Sequence, residues 1–404
     1  MRRFSTISTV VLEDDRVVSK GPVIVLGLAA VLLLLDDAGA ASQWADRDLV
    51  ALALALVIGG TALGVVLRAA RPTAAPAIQW RAIAQGLAVS AVATTLALVC
   101  SEAATRWLYR DITTTADDRG YFSHRWQQAE LKLNSHGFRD REFPTAKPPG
   151  HFRVAVLGDS FAYGNGVRAD QRFSDVMQAA LPPHVEVLNF GVPGHNTPEL
   201  VTELRTNVSR FAPDFALVQW FVNDVEGDGR QRPRYQPLLP LPTAHEWLHD
   251  SSALYTLFDT WWTRRQVAGL SSESYVGYMR GRFENSQGEP VRVDRAALRA
   301  LVAEAKRQHL EVGIVLFPDT AYDLDDSYPF EFLHARVRDF CDENRLTCVD
   351  LRPDFAAVRD RQSLWANRLD THPGALANSI AATRILQTFE PQWLLSSQVP
   401  AHVQ

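Results

Sequence analysis

The chain has 404 residues, of which 47% are hydrophobic and 22% are charged, a composition typical of a folded protein rather than a disordered one. Its formal net charge is −5 and it contains no long run of basic residues, which argues against nucleic-acid binding. Three cysteines are too few for a disulfide framework or a zinc cluster, and the sequence lacks a P-loop and an H-E-x-x-H motif. No metal or organic cofactor is therefore expected.

An apolar region, residues 1–110, opens the chain, and we interpret it as a membrane anchor with three transmembrane helices. The predicted spans cover about residues 17–35, 49–67 and 82–100. The second and third each have about 19 residues without a charge, close to a full bilayer crossing. The first contains Lys20, whose amine would have to extend to the membrane surface, and it precedes an Ala38-Gly39-Ala40 sequence that a signal peptidase could cut. Buried soluble helices are the alternative, although the polar stripe that such helices usually keep is almost absent.

The charges that flank these spans predict their orientation. The N-terminal tail carries four basic residues, the first loop carries four acids against one arginine, and the second loop carries three arginines and no acid. Because basic loops stay in the cytoplasm, the tail and the second loop are predicted to lie inside. Everything after Cys100 is then outside, which in a bacterial inner membrane is the periplasmic side.

Residues 111–150 have mixed polarity and no sustained period, and we interpret them as a connector to a larger domain at 151–395. In that domain, apolar strands alternate with amphipathic helices. Strands are predicted at residues 152–157, 185–190, 215–221, 312–317 and 347–351. Helices are predicted at residues 171–181, 198–211, 294–309, 330–344 and 374–389. This alternation predicts an α/β fold in which helices cover both faces of a parallel sheet.

One interval, residues 225–293, breaks the alternation. It contains a group of prolines and then an aromatic-rich piece, and a structureless loop of that length is unusual in a compact domain. We interpret it as an insertion that partly folds. Whether it covers a site or only packs on the surface is left open by the sequence.

Polar residues and glycines follow three successive predicted strands, and a fourth group precedes the last helix. The four fragments are Gly158-Asp159-Ser160-Phe161, Asn189-Phe190-Gly191-Val192-Pro193-Gly194, Asn223-Asp224 and Asp370-Thr371-His372-Pro373. Because the carboxyl ends of parallel strands meet at one edge of a sheet, the fragments should converge there. A histidine with a nearby carboxylate is the usual arrangement for a general base that is held in one tautomer.

These fragments resemble the four motif blocks of the SGNH subset of GDSL-type hydrolases. The matching residues are the nucleophile Ser160, the oxyanion residues Gly194 and Asn223, and the catalytic His372. Residues 134–140 resemble the lead-in of membrane-tethered bacterial members. The resemblance covers roughly residues 134–390 and implies a flavodoxin-like three-layer α/β/α sandwich that hydrolyses esters or transfers acyl groups.

Two positions depart from the family pattern. Phe221 stands where the family has a glycine, two residues before Asn223, and its bulk could reshape the pocket. The usual aspartate lies three residues before the histidine, where this chain has Leu369, whereas Asp370 lies two residues before it. The orienting partner of the histidine is therefore either Asp370 or a backbone carbonyl.

We accordingly predict a membrane-anchored serine esterase that acts on acyl esters, with O-acetyl esters of envelope glycans or lipids as the expected substrates. Ser160 would attack the carbonyl, His372 would take its proton and Asp370 would orient His372. The N–H groups of Ser160 and Gly194 and the amide of Asn223 would hold the oxyanion. The alternatives are an O-acyltransferase that acts on an extracytoplasmic polysaccharide and a catalytically silent glycan-binding scaffold. Protein partners are not predicted.

The loop charges lead to a first testable prediction about membrane topology. An alkaline phosphatase reporter fused after about residue 110 should be active, and a reporter that needs the cytoplasm should be silent there. The same pair fused in the loop at 68–81 is the control and should give the opposite result. Activity of the cytoplasmic reporter after residue 110 would overturn the predicted orientation.

Overall fold

The computed structural model describes most of the chain beyond residue 79. The described residues are 80–115, 119–225, 236–269, 272–281 and 289–397. The predicted spans at 17–35 and 49–67 lie outside them. The chain forms two compact units, Met1–Leu108 and Tyr109–Gln404.

The described part of the first unit is one long helix, α1, at Trp80–Leu108. Its segment Ala84–Leu108 has a mean hydropathy of 1.7, so that by length and composition it could cross a membrane. The helix runs eight residues beyond the predicted end of the third span, because Ser101–Leu108 continue it with good helix formers. There the Arg106 side chain donates to Glu102, one turn earlier, at 2.6 Å.

The second unit is built on parallel strands. They are β1 (Phe152–Leu157), β2 (Val185–Asn189), β3 (Phe215–Trp220), β4 (Glu311–Leu316) and β5 (Thr347–Asp350). In the described residues they form a five-stranded sheet in the order β2-β1-β3-β4-β5, with every neighbouring pair parallel. This is the flavodoxin-like order, whose switch point lies between β1 and β3. The predicted fold class is confirmed.

The second unit also contains helices, several of which pack on this sheet. They are α2 (Gly120–Glu130), α3 (Ser160–Tyr163), α4 (Phe173–Ala180), α5 (Thr197–Glu203), α6 (Pro242–Ser251), α7 (Ala253–Gly269), α8 (Ser272–Met279), α9 (Glu289–Arg307), α10 (Glu331–Asn344), α11 (Arg352–Ala356) and α12 (Ala375–Ser397). Helix α4 packs against α12, and α5 packs against α9. Every residue of β1 and β3 is buried, as expected for central strands that are covered on both faces.

Two predicted helices end differently in the structure. The helix predicted at 198–211 stops being α-helical at Glu203 and continues as a π-turn at Leu204–Val208 and a 3-10 turn at Ser209–Phe211. The last helix runs on past residue 389, through Pro391, to Ser397. Trp393 is fully buried and stacks on Phe389 with ring centroids 5.9 Å apart, and this packing offsets the hydrogen bond that the proline removes.

A short antiparallel hairpin near the chain end was not predicted. Strand β6 (Trp365–Asn367) pairs with β7 (Asp370–Pro373). At the end of the hairpin, a side chain on Gly374 would come within 2.2 Å of the carbonyl oxygen of Trp365. The close return of the chain at this point therefore requires glycine.

The region interpreted as a connector contains helix α2, and the interval interpreted as an insertion contains α6, α7 and α8. Phe122 and Trp126 of α2 are buried, and α2 packs against α6 and α7. The backbone N–H of Tyr121 donates to the Thr256 hydroxyl at 3.2 Å. These contacts stabilise the two regions together, while the division of the chain into anchor, connector and hydrolase-like domain stays a prediction.

The sequence alone is compatible with either a bridge or two buried thiols at Cys341 and Cys348, and the structure has the disulfide. Cys341 is buried on α10 and Cys348 lies in β5, with Cα atoms 6.2 Å apart, within the range that a disulfide spans. The bridge closes a short loop, so we expect it to contribute about 2–3 kcal/mol to the free energy of unfolding.

Mass mapping can test this bridge. When the unfolded chain is alkylated without a reductant, Cys341 and Cys348 should stay unmodified and should be modified only after reduction. Cys100 is not bridged and is the internal control, which should be alkylated in both cases. Alkylation of Cys341 and Cys348 without reductant would contradict the disulfide.

Candidate active site

The turn after β1 places Ser160 at the carboxyl end of the sheet. Ser160 is the first residue of the one-turn helix α3, and the Asp159 carboxylate caps this helix by accepting from the Phe161 N–H at 2.9 Å. The turn is tight because a side chain on Gly158 would come within 2.2 Å of the Gln219 side chain. That Gln219 oxygen, on β3, accepts from the Asp159 N–H at 3.0 Å and from the Ala162 N–H at 3.3 Å. The serine therefore sits on a turn that is fixed from below by the central strand.

His372 and Asp370 are carried by one strand, β7. His372 Nε2 lies 2.9 Å from Ser160 Oγ, and His372 Nδ1 lies 2.5 Å from Asp370 Oδ1. The same carboxylate oxygen accepts from the backbone N–H of His372 at 3.0 Å. Residues two apart on a strand project to the same face, which explains how an aspartate two residues before the histidine reaches its ring. The structure thus brings three predicted site residues into one hydrogen-bonded chain.

The environment of Asp370 favours the charged carboxylate. Its burial acts to raise the pKa, but the nearby His372 and hydrogen bonds from His372 and from the Thr114 hydroxyl outweigh that effect and hold the pKa of Asp370 below its ordinary value. An ionised Asp370 can accept the Nδ1–H bond and leave Nε2 free to accept a proton from the serine.

The predicted oxyanion donors surround the serine turn. After β2, the Val192 N–H donates to the Gly158 carbonyl at 3.0 Å, so this loop lies against the turn that carries Ser160. Gly194 follows with a φ of +79° and open space where a side chain would project. Within the described residues, the backbone N–H groups of Ser160 and Gly194 donate to no other group. Asn223 Nδ2 donates to Asp159 Oδ2 at 3.2 Å, which orients one of the two N–H bonds of the amide and leaves the other available.

Two buried carboxyl groups lie beneath this edge of the sheet. Burial raises the pKa of Asp159 above its ordinary value, and burial together with the charge of Asp159 raises the pKa of Asp224 well above its own. Asp224 accepts from the Phe221 N–H at 2.7 Å and from the Thr197 hydroxyl at 3.3 Å. These bonds fix the short turn after β3 that carries Asn223.

A cluster of aromatic rings lies beside Ser160 and His372. The Phe161 and Phe221 rings are 4.2 Å apart, and the Phe161 ring lies 5.4 Å from the His372 ring and 5.8 Å from the Phe317 ring, measured between centroids. Phe221, which stands in place of the family glycine, is thus in contact with the residue that follows Ser160.

Three residues around the site were not predicted from the sequence. Asp319 follows β4, and burial raises the pKa of its carboxyl to about 6, while the nearby His372 acts to lower it. Its position at a strand's carboxyl end was the only signal for it. Arg139, in the predicted lead-in, donates to the carbonyls of the loop after α3 at Tyr163, Gly164 and Val167, at 2.7–2.9 Å. Thr114 bonds to Asp370 and had no sequence signal.

Comparison with known proteins gives one family match: residues 156–380 match the GDSL-like lipase/acylhydrolase family. Similar solved structures include a putative lipolytic protein of the G-D-S-L family from Desulfitobacterium hafniense DCB-2, at 13% identity and a TM-score of 0.36, covering 59% of this chain and 99% of that one. TesA has 13% identity and a TM-score of 0.38, with 59% and 98% covered. A catalytic mutant of Axe2, an acetylxylan esterase from Geobacillus stearothermophilus, has 16% identity and a TM-score of 0.38, with 61% and 98% covered. No curated protein matches the chain.

Since the family match covers more than half of the 404 residues, the chain belongs to the GDSL-like lipase/acylhydrolase family. It is a hydrolase that acts on ester bonds. The resemblance to GDSL-type hydrolases that the four short blocks predicted is confirmed.

The geometry of Asp370 gives a prediction that separates a triad from a Ser-His dyad. Asp370→Asn keeps the shape of the side chain but stabilises the wrong tautomer of His372, so the turnover number should fall by about 10⁴-fold. Asp319→Asn is the matched control: it removes another buried carboxyl near His372 without touching the Nδ1 bond, and its loss should be small. Ester hydrolysis by both variants is measured beside the wild type. A small loss for Asp370→Asn would mean that His372 is oriented by another group.

Proposed function

We propose that the chain is a membrane-anchored serine esterase that removes short acyl groups, with O-acetyl esters of extracytoplasmic glycans or lipids as substrates. The observation that carries this proposal is the continuous contact from Ser160 Oγ through the His372 ring to the Asp370 carboxylate. A serine hydroxyl is a weak nucleophile until a base takes its proton. This arrangement supplies the base and the group that orients it.

The reaction proceeds through a covalent acyl-enzyme. Ser160 Oγ attacks the acyl carbon while its proton passes to His372 Nε2, and the carbonyl oxygen becomes an oxyanion. The intermediate collapses by breaking the bond to the alcohol oxygen, which takes the proton from His372 and leaves. Water then attacks the acyl-enzyme, again with His372 as the base, and this step releases the acid and restores Ser160.

The oxyanion is held by donors that stand in place before substrate arrives. The N–H groups of Ser160 and Gly194 and the second N–H of the Asn223 amide are the proposed set. Removing one such donor typically lowers the turnover number about 10²–10³-fold. The bond from Asn223 to Asp159 supports this role, because an amide that is already oriented needs no reorganisation when charge develops on the substrate.

The acyl group is proposed to be short because of Phe221. In place of a family glycine it puts a ring 4.2 Å from Phe161, the residue directly after the nucleophile. Apolar bulk close to the attacked carbon excludes long chains by overlap but leaves room for a methyl group. Acetyl esters are therefore the proposed class.

Membrane attachment is proposed from helix α1 and the charges around the apolar region. The apolar side chains of Ala84–Leu108 are largely exposed, among them Leu87, Val92 and Leu96 at 59–66% exposure. Such a surface is costly in water and is stable in hydrocarbon. The positive-inside pattern supports a periplasmic position for the second unit.

The nucleophile assignment is tested with the full chain in detergent micelles, with a fluorophosphonate probe and p-nitrophenyl esters of increasing length. The wild type should be labelled and should hydrolyse acetate faster than octanoate. Ser160→Ala should lose labelling and turnover, whereas Ser379→Ala, a control at an exposed position on α12, should behave as the wild type. Asn223→Ala should reduce turnover by about 10²–10³-fold.

Two outcomes would contradict the proposal. Persisting hydrolysis by Ser160→Ala would exclude Ser160 as the nucleophile, and a wild type that neither takes the probe nor cleaves any ester would favour the silent scaffold. Adding sugar acceptors to the same assay separates a hydrolase from an O-acyltransferase, because a transferase would give acylated sugar in place of free acid.

A further inference from the structure

The segment between α1 and α2 contacts the carboxylate of Asp370. Thr114 is almost completely buried, at 1% exposure, and its hydroxyl donates to Asp370 Oδ2. His372 uses the other oxygen, Oδ1, for both of its bonds to the same carboxylate. The two oxygens of Asp370 are therefore divided between the base and a hydroxyl that comes from 256 residues earlier in the chain.

Several hydrogen bonds hold this segment in place independently of Asp370. The Thr113 hydroxyl donates to the Gly166 carbonyl at 2.7 Å. Asn367, in the β6–β7 hairpin, donates from its side-chain amide to the Thr113 hydroxyl at 3.1 Å and to the Thr114 carbonyl at 3.0 Å. The hairpin that carries the acid and the base is thus tied to the same stretch of chain that supplies the hydroxyl.

Gly166 provides a second, independent sign that this contact is built into the fold. A side chain there would lie 2.6 Å from the Thr114 hydroxyl oxygen and 3.4 Å from Asp370 Oδ2, and the residue has a φ of +80°. Any other residue would be strained in that backbone conformation and would push the hydroxyl away from the carboxylate. The loop after α3 leaves open the space in which the two groups meet.

We propose that Thr114 is a positioning residue for catalysis, whose hydroxyl fixes the plane of the Asp370 carboxylate so that Oδ1 faces His372 Nδ1. The proposal rests on the proposed roles of Ser160, His372 and Asp370. Thr114 lies well before residue 156, where the family match begins, so this support comes from a part of the chain that the family does not define.

The hydroxyl has two effects on the acid-base pair. It stops the carboxylate from rotating away from the ring, and it stabilises charge on Oδ2. Without it, the negative charge concentrates on Oδ1 and favours the protonated ring. Among the described residues, the charged groups that also act on His372 include Asp159, from the turn before α3, and Asp319, after β4, with Arg361 acting on Asp319. None of these bonds to Thr114, so its removal leaves them in place.

The test compares Thr114→Val, Thr114→Ser and Thr113→Val in the full chain in detergent micelles, with p-nitrophenyl acetate hydrolysis followed against pH. Thr114→Val keeps the shape and loses the donor, so kcat should fall about tenfold or more, the scale of a lost bond to a charged group, with KM little changed. The acidic limb of the kcat–pH profile of Thr114→Val should move to higher pH. Thr114→Ser should restore both kcat and the pH at which the acidic limb lies.

Thr113→Val is the matched control, because it removes a neighbouring hydroxyl that bonds only within the scaffold. It should lower the melting temperature while leaving the acidic limb where the wild type has it. The proposal would be overturned if Thr114→Val had the wild-type kcat and an unshifted acidic limb. It would also be overturned if Thr114→Ser failed to restore the kcat that Thr114→Val loses. If Thr114→Val does not fold, Thr114→Ala, which keeps the backbone bond from Asn367, is measured in the same way with the same expected result.

Ser160→Ala keeps the two proposals distinguishable. If it retains hydrolysis, the proposed function fails. If it is inactive while Thr114→Val behaves as the wild type, only the role of Thr114 fails.

Discussion

The site depends on one contact between distant parts of the chain, the hydrogen bond between His372 Nε2 and Ser160 Oγ across 212 residues of sequence. In the proposed mechanism neither residue can act without the other, since the hydroxyl needs a base. The parallel sheet brings the turn after β1 to the edge where such groups gather, and the β6–β7 hairpin returns the end of the chain to the same edge. The rest of the second unit holds these two pieces at bonding distance.

Polar groups that are buried beneath the site hold the catalytic turns. Gln219, on the central strand β3, accepts two backbone N–H groups from the serine turn, and the missing side chain of Gly158 makes room for it. The Asp224 carboxylate accepts one backbone N–H, from Phe221, and so holds the turn that carries Asn223. These bonds offset part of the cost of burying the two polar side chains and fix the geometry of the turns.

The sequence predicted the parts of the candidate site that follow β1, β2 and β3. The apolar segments at 152–157 and 215–221 locate β1 and β3 to within a residue, because central parallel strands have a continuous apolar pattern. Asp319 and Thr114 were not foreseen, since each matters only through contacts with residues distant in sequence. The spacing of Asp370 was ambiguous for the same reason: it becomes meaningful once residues 370–373 are known to be a strand.

Because Asp370 and His372 share one strand, they form a single rigid piece rather than two residues on separate loops. A movement of the whole hairpin would carry the carboxylate and the imidazole together, whereas their contacts with Ser160 and with the Thr114 hydroxyl, which lie on other segments, would lengthen. Damage at this edge of the protein should therefore lengthen the distance from His372 to Ser160 before it breaks the hydrogen bond between His372 and Asp370.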